Sequence, residues 1–302
     1  MNIEVIERIK KIYEEKGNIM EFLRGLEQRN YNTSEDIMIS YDFQAGTYNK
    51  AYMNNRELYE KYHCEISENI NRYIHKFFRE GTTYRILEAG IGEGTTFGPV
   101  MGKLDIQPEC GYGFDISWSR VKECIKFLDK MDFLNNRFVF VGDIFSIPMK
   151  DNSVDIVYTA HALEPNGGKE KELLKELYRV AGKCVILFEP SYEFADEKQR
   201  ERMEFHGYVR NLPNAARELG YDVIENRLLE NSLNNMNPTA ITVICKDEAT
   251  LEGEVLCDPI SKGNLIKGKS SYFSKDCLVA YPVIEDIPCL NLENAILATK
   301  YI

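Results

Sequence analysis

Along the first 29 residues, apolar side chains fall at Ile6, Ile9, Ile12 or Tyr13, then at Phe22, Leu23 and Leu26. That spacing of three and four gathers them on one face of a helix, and the Gly17-Asn18 pair marks a break in it. The next stretch, ISYDFQAGTYNKAY (39–52), is rich in aromatics and irregular in period. Helical spacing returns over 55–79 and stops at Gly81.

From Tyr84 the texture changes. Short apolar runs at 84–89, 111–116, 137–144, 153–160 and 183–190 read as strands. The helical patterns SWSRVKECIKFLDK and KEKELLKELYRVAG (169–182) lie between members of that series. Strands and helices alternating at this interval predict a mainly parallel sheet with right-handed crossovers. Beyond Pro190 the sequence EKQRERMEFHGYVRNLPNAARELG predicts one or two helices. Two more strands, 221–230 and 239–246, flank an Asn-rich turn at 231–237, which suggests an antiparallel hairpin closing the sheet. The expected architecture is α/β: a helical region over 1–80, a sheet domain over 81–248, and a small α+β unit over 251–302.

Composition narrows the function classes. At 302 residues, 44% of them hydrophobic, the chain can build a full-sized core. No run approaches the roughly 18 apolar residues of a membrane span. The opening MNIEVIERIKKIYEEKG is charged throughout, unlike a signal or transit peptide, so the expected compartment is the cytoplasm. A formal charge of −11 argues against a dedicated nucleic-acid binder. The eight cysteines are scattered without a CxxC pair and read as reduced, buried thiols.

The strongest chemical signal is Glu88-Ala-Gly90-Ile-Gly92-Glu-Gly94, set directly after a strand. Glycines there let the backbone turn sharply and approach a ligand closely. A nicotinamide-binding loop would place its third glycine at 95, which is Thr95. An acid just before the loop suits a cationic ligand better than a phosphate, and Glu88 could hold an ammonium group directly or through water. Asp115 ends the second strand and can accept two ribose hydroxyls in a fork. Asp143 ends the third strand and can accept from an adenine amino group, with Ile116 and Ile144 sandwiching the ring.

With ILEAGIGEG, GFDIS, VGDIFSIPMKDNSVDIVYTAHALE and KCVILFEP, residues 84–190 resemble the class I S-adenosylmethionine (SAM)-dependent methyltransferase family. The resemblance implies a Rossmann-like core with a mostly parallel seven-stranded sheet and SAM as cofactor. It puts Glu88, Gly90, Gly92 and Gly94 around the methionyl part, Asp115 on the ribose, and Asp143 with Ile144 beside adenine. Ala160, at the end of the fourth strand, joins this cofactor set. The upstream Tyr41-Asp42-x-x-Ala45-Gly46-x-Tyr48 is similar to a lid segment of small-molecule members, whose tyrosines cover the cofactor.

Methyl transfer requires alignment of acceptor, methyl and sulfur, and, for a hydroxyl or ammonium acceptor, removal of a proton. His161 falls where the fourth strand should meet the methyl position, and either a base role or a lining role suits it. Glu164 could orient His161, bind an acceptor amine, or cap the helix beginning near Lys169. Tyr192, Phe194, His206 and Tyr208 follow the fifth strand, and Tyr192, His206 and Tyr208 are the candidate acceptor contacts.

The last segment, with Cys257-Asp-Pro-Ile260, Ser274-Lys-Asp-Cys277 and AYPVIEDIP, resembles the zinc-ribbon-type family of methyltransferase activators. Two of the four ligand positions of that pattern fall on Ile260 and Ser274, so no metal is expected. The preferred expectation is a SAM-dependent enzyme that methylates a hydroxyl or amine of a small molecule, such as a sugar or secondary metabolite. A protein or tRNA methyltransferase with a fused activator-like unit, and a non-catalytic SAM-binding scaffold, are the alternatives. A homo-oligomer is compatible with the sequence.

Overall fold

The computed structural model describes residues 3–133 and 136–301. Five helices come first: α1 (Ile3–Glu14), α2 (Ile19–Leu26), α3 (Ser34–Phe43), α4 (Thr47–Asn54) and α5 (Arg56–Phe77). The break at Gly17-Asn18 has a local cause, because the Asn18 side chain accepts from the Glu21 amide at 3.1 Å and starts α2. Ile9, Ile19, Leu23 and Ile39 then bury one another in a small cluster.

The aromatic stretch 39–52 is not irregular, contrary to expectation. It holds the end of α3 and most of α4. A capping box starts α3: Thr33 accepts from the Asp36 amide, and Asp36 accepts from the Thr33 amide at 2.8 Å. Arg29 pairs with the same Asp36 carboxylate at 2.6 Å. The start of α4 is fixed from a distance, by a carboxylate described with the site below.

The strands are β1 (Arg85–Ala89), β2 (Cys110–Asp115), β3 (Arg137–Val141), β4 (Val154–Ala160), β5 (Ala181–Pro190), β6 (Asp222–Leu228) and β7 (Thr239–Cys245). They form one sheet in the order β3-β2-β1-β4-β5-β7-β6. β7 runs antiparallel to both β5 and β6, and the remaining pairs are parallel. The five other helices are α6 (Phe97–Met101), α7 (Trp118–Lys130), α8 (Glu170–Val180), α9 (Glu197–His206) and α10 (Leu212–Glu218). The fold is therefore the Rossmann-like α/β arrangement expected. α5, α6 and α7 bury one sheet face, through Ile66, Ile70, Phe97 and Val121 among others. α8, α10 and the C-terminal unit bury the other, through Leu173, Leu177, Ala216 and Tyr281. Each fully buried Ile or Leu contributes roughly 1.5–3 kcal/mol. The strand order reverses between β1 and β4, so a crevice opens at the carboxyl ends of these strands.

The C-terminal unit carries β8 (Leu265–Lys267), β9 (Ser271–Ser274), β10 (Val279–Ile284), β11 (Ile287–Pro288) and β12 (Ile296–Leu297). Its helical content among the described residues is a 3-10 turn at Leu292–Asn294, so it is a β unit and not the α+β unit expected. The unit covers the free edge of β3, where the Leu290 amide donates to the Val141 carbonyl at 2.8 Å. Asp258 sits at its centre. The Asp258 carboxylate accepts from the amides of Ile260 and Ser261 at 2.8 and 2.7 Å, from Cys277 Sγ at 3.5 Å and from the Tyr281 hydroxyl at 3.1 Å. Among the described residues, no three potential metal-binding side chains are gathered anywhere.

In α5, the His63 ring is fully buried, and neither of its nitrogens has a hydrogen-bond partner among the described residues. Burial lowers its pKa to about 4, so the folded state resists a proton that the unfolded chain accepts near 6.5. The corresponding stability is present above pH 6.5 and is lost as pH falls toward 4, by roughly 3 kcal/mol. His63→Phe is expected to flatten this acid limb of the stability curve, as read by urea unfolding between pH 7 and 4. An unchanged limb would assign acid sensitivity to other groups.

Candidate active site

The crevice at the switch point is a cleft of about 380 Å³, walled by the ends of β1 to β4 and roofed by α3, α4 and α5. At its floor lies the glycine loop. Gly90 adopts φ +77° and Gly92 φ +55°, both in the left-handed region that favours glycine. A Cβ on Gly90 would fall 2.4 Å from that of Ala162, so no other residue fits there. Gly94 is not part of the wall: it packs against Cys124 and lets α7 approach the loop.

Glu88, on β1, reaches the floor with 1% exposure and accepts from the Tyr158 hydroxyl at 2.5 Å. Burial pushes its carboxyl up to about 8, and the Tyr158 hydrogen bond offsets part of that rise. Asp115, at the end of β2, accepts from the Gly92 amide at 3.0 Å and the Ser117 amide at 2.9 Å. It thus fixes the glycine loop to the start of α7. Asp143 accepts from the Phe145 amide at 2.9 Å, and burial raises its pKa. Ile116, Ile144 and Ala160 line the same cleft.

The roof is latched to the floor by two carboxylates that sequence reasoning missed. Glu93, between Gly92 and Gly94, accepts from the amides of Gly46, Tyr48 and Asn49 at 2.9, 3.3 and 2.8 Å. It caps the N-terminus of α4 from 45 residues away in the chain. Asp42 accepts from the hydroxyls of Ser117 and Ser119, both at 2.8 Å. These latches hold Tyr41 and Tyr48 over the cleft, where both rings flank the guanidinium of Arg120. Arg120 was also missed. The available signal was a charged residue at a helix position whose partners on the same face, Ser117 and Cys124, are buried.

His161 and Glu164 meet at the β4 end of the cleft. His161 has φ +56°, an uncommon conformation for a residue with a side chain and a mark of local constraint. Its Nδ1 is paired with Glu164, and its Nε2 is 2.9 Å from the Thr239 hydroxyl. Burial works against a charged imidazole, but the Glu164 carboxylate outweighs it and leaves the His161 pKa above its usual value. Glu164 does not cap α8; the Gly168 amide there is taken by Glu170 at 3.1 Å. Glu189, at the end of β5, accepts from the amides of Ala162 and Leu163 at 3.0 and 3.1 Å and holds the His161 loop. Burial pushes Glu189 up to about 7.

Of the three candidate acceptor contacts, Tyr208 lines the cleft, whereas Tyr192 and His206 lie outside its wall. Tyr192 instead donates to Glu204 at 2.7 Å near the surface, and the His206 ring packs beside Phe205 and Tyr208. Arg202 and Asn237, paired with each other, join Tyr208 at this end. Among the described residues, no helix is long and apolar enough to cross a membrane.

Known proteins share this fold. Residues 87–187 match the family described as a methyltransferase domain. A chain of the Haloferax volcanii complex formed with the Trm112 methyltransferase activator shares the fold, at 16% identity and a TM-score of 0.51. That likeness covers 68% of this chain and 96% of the other. The magnesium protoporphyrin IX methyltransferase of Synechocystis, solved with bound SAH, also shares it, at 14% identity and a TM-score of 0.50. It covers 69% of this chain and 98% of the other. The matched segment contributes Glu88, the glycine loop, Asp115 and His161, so the chain carries a methyltransferase domain and is an enzyme.

Proposed function

We propose that this enzyme uses SAM to methylate a hydroxyl or amine of a small molecule. The observation that carries the reading is the convergence of Glu88, Asp115 and Asp143 on one cleft around a side-chain-free glycine floor. The donors present suit SAM, which supplies an electrophilic methyl carbon on a sulfonium centre. Glu88 is a buried carboxylate whose hydrogen-bond partner is a single phenol, and it can take the ammonium group. Asp115 can accept the ribose hydroxyls, and Asp143 the adenine amino group between Ile116 and Ile144.

The small-acceptor reading rests on the roof. Latched by Glu93 and Asp42, α3 and α4 cover the cleft, which suits a small acceptor better than a folded RNA or protein. Within that enclosure His161 is the candidate proton acceptor, oriented by Glu164, with Tyr208, Arg202 and Asn237 as acceptor contacts.

Calorimetry tests the cofactor assignment. SAM and SAH are expected to bind, and SAM is expected to release a proton at pH 7. Free Glu88 holds a proton up to about pH 8, and an incoming ammonium favours its anion. Runs in two buffers of different ionisation enthalpy read that proton, and Glu88→Gln should abolish its release. Uptake of a nicotinamide dinucleotide with no uptake of SAM or SAH would end the proposal. Incubation with labelled SAM and separated small-molecule, RNA and protein fractions then identifies the acceptor class; label in RNA or protein alone would overturn the small-molecule reading.

A further inference from the structure

The end of the cleft away from the glycine loop carries a cation. Arg202, on α9, lines the wall there with Tyr208, Asn237 and His161. Arg29, Arg72, Arg179 and Arg227 each pair with a carboxylate, but among the described residues Arg202 has no ion-pair partner. Its Nη1 donates to the Asn237 side-chain oxygen, and its guanidinium carbon lies 5.6 Å from the Tyr208 ring centre. Asn237 is 5% exposed, so the guanidinium rests against a fixed wall. The remaining N–H donors of the group have no carboxylate to meet. A second arginine stands behind the first. Arg24, on α2, also has no ion-pair partner among the described residues, and its Nη1 is 3.4 Å from where a Cβ on Gly207 would stand. Burial lowers the pKa of His206, between these two arginines, and both positive charges lower it further against Glu164 and Glu21.

Two short routes join this cation to the candidate base. Asn237 precedes Thr239, whose hydroxyl is 2.9 Å from His161 Nε2, and the Ser232 hydroxyl ties the pair, donating to the Asn237 carbonyl at 2.8 Å and standing 3.2 Å from the Thr239 hydroxyl. On the other side the Tyr208 hydroxyl is within reach of both Arg202 and Glu164, which holds His161. A guanidinium edge matches a planar anion in a two-pronged hydrogen bond. Glu164 faces the same space, so a singly charged carboxylate fits better than a doubly charged phosphate.

We propose that the methyl acceptor is a small carboxylate, anchored on Arg202 beside Tyr208, with its hydroxyl or amine presented to His161. This deepens the small-molecule reading and rests on it. The anchored carboxylate is not the reacting group. The hydroxyl or amine forms the new bond to the methyl carbon, the carbon–sulfur bond breaks with its electron pair going to sulfur, SAH leaves, and the acceptor's proton passes to the neutral His161 ring.

Ligand-observed NMR on the full chain loaded with SAH tests the proposal, because SAH fills the cofactor subsite and leaves the probes the acceptor end. The probes are glycolate and glycine, the smallest carboxylates with a hydroxyl or an amine, with ethylene glycol and ethanolamine as partners lacking the carboxylate, and inorganic phosphate. Wild type is expected to bind glycolate or glycine at least tenfold more tightly than the matching partner and at least threefold more tightly than phosphate. Arg202→Gln should reduce the carboxylate preference to below threefold, with Arg202→Lys between the two. SAH affinity should change less than threefold in both variants, which certifies the fold and separates the acceptor end from the cofactor subsite. No preference in wild type, full preference in Arg202→Gln, or tighter binding of phosphate overturns the proposal. So does loss of SAH binding in both variants, because Arg202 would then serve the cofactor or the fold. Wild type that binds no SAH overturns the SAM reading and this proposal with it. In the labelled-SAM incubation, a small-molecule product should be retained by an anion exchanger at pH 7 after phosphatase treatment. A product that is not retained, or label released as methanol by mild alkali, overturns the proposal, the latter because the carboxylate would itself be the acceptor.

Discussion

Replacing Asp115 with alanine is expected to weaken SAM binding by about a thousandfold. Two charge-assisted hydrogen bonds to ribose hydroxyls are worth about 4 kcal/mol together. The same carboxylate accepts from the Gly92 and Ser117 amides, so its removal also loosens the glycine floor. Asp115→Asn separates the two contributions. Its side-chain oxygen can still accept from one amide, while its NH₂ group cannot accept from a ribose hydroxyl. Calorimetry should therefore give a loss near a hundredfold for Asp115→Asn, with thermal unfolding close to wild type. A loss under fivefold in the alanine variant would mean that the ribose is held elsewhere.

The second large effect concerns turnover. His161→Gln is expected to lower kcat by about 10²-fold or more, the range typical of a positioned general base, with SAM affinity changed less than about threefold. The pH profile adds a sign. Glu164 holds the His161 pKa above its usual value, and only the neutral ring accepts a proton. Activity should rise with pH through a midpoint above 6.5. Glu164→Gln removes the carboxylate that favours the imidazolium and should move that midpoint downward. If His161→Gln retains more than a third of wild-type kcat, the ring is a wall of the acceptor pocket and not its base.

Much of the site was readable because its determinants are local. The glycine loop, Asp115 and Asp143 each sit within a few residues of a strand end, and alternating strands and helices place successive strand ends along one edge. The aromatic stretch 39–52 was unreadable for the opposite reason. Its helices lack a strong apolar stripe, and the cap of α4 comes from Glu93, which carries no mark in sequence of the amides it will meet. Tyr192 and His206 lie outside the cleft wall because Tyr192 is bonded to Glu204 and the His206 ring packs on Phe205, a choice made by packing and not by helical spacing.

Sequence by itself determined the α/β class, the position of the crevice and the acidic character of its floor, since hydrophobic period and strand-end chemistry act over a few residues. Only the tertiary structure decided what closes the crevice and which charges meet inside it. The Glu93 and Asp42 latches, the stacking of Arg120 between two tyrosines and the His161–Glu164–Thr239 chain join segments tens of residues apart. Such contacts depend on the directions in which packed elements point their side chains, which spacing along a chain does not encode.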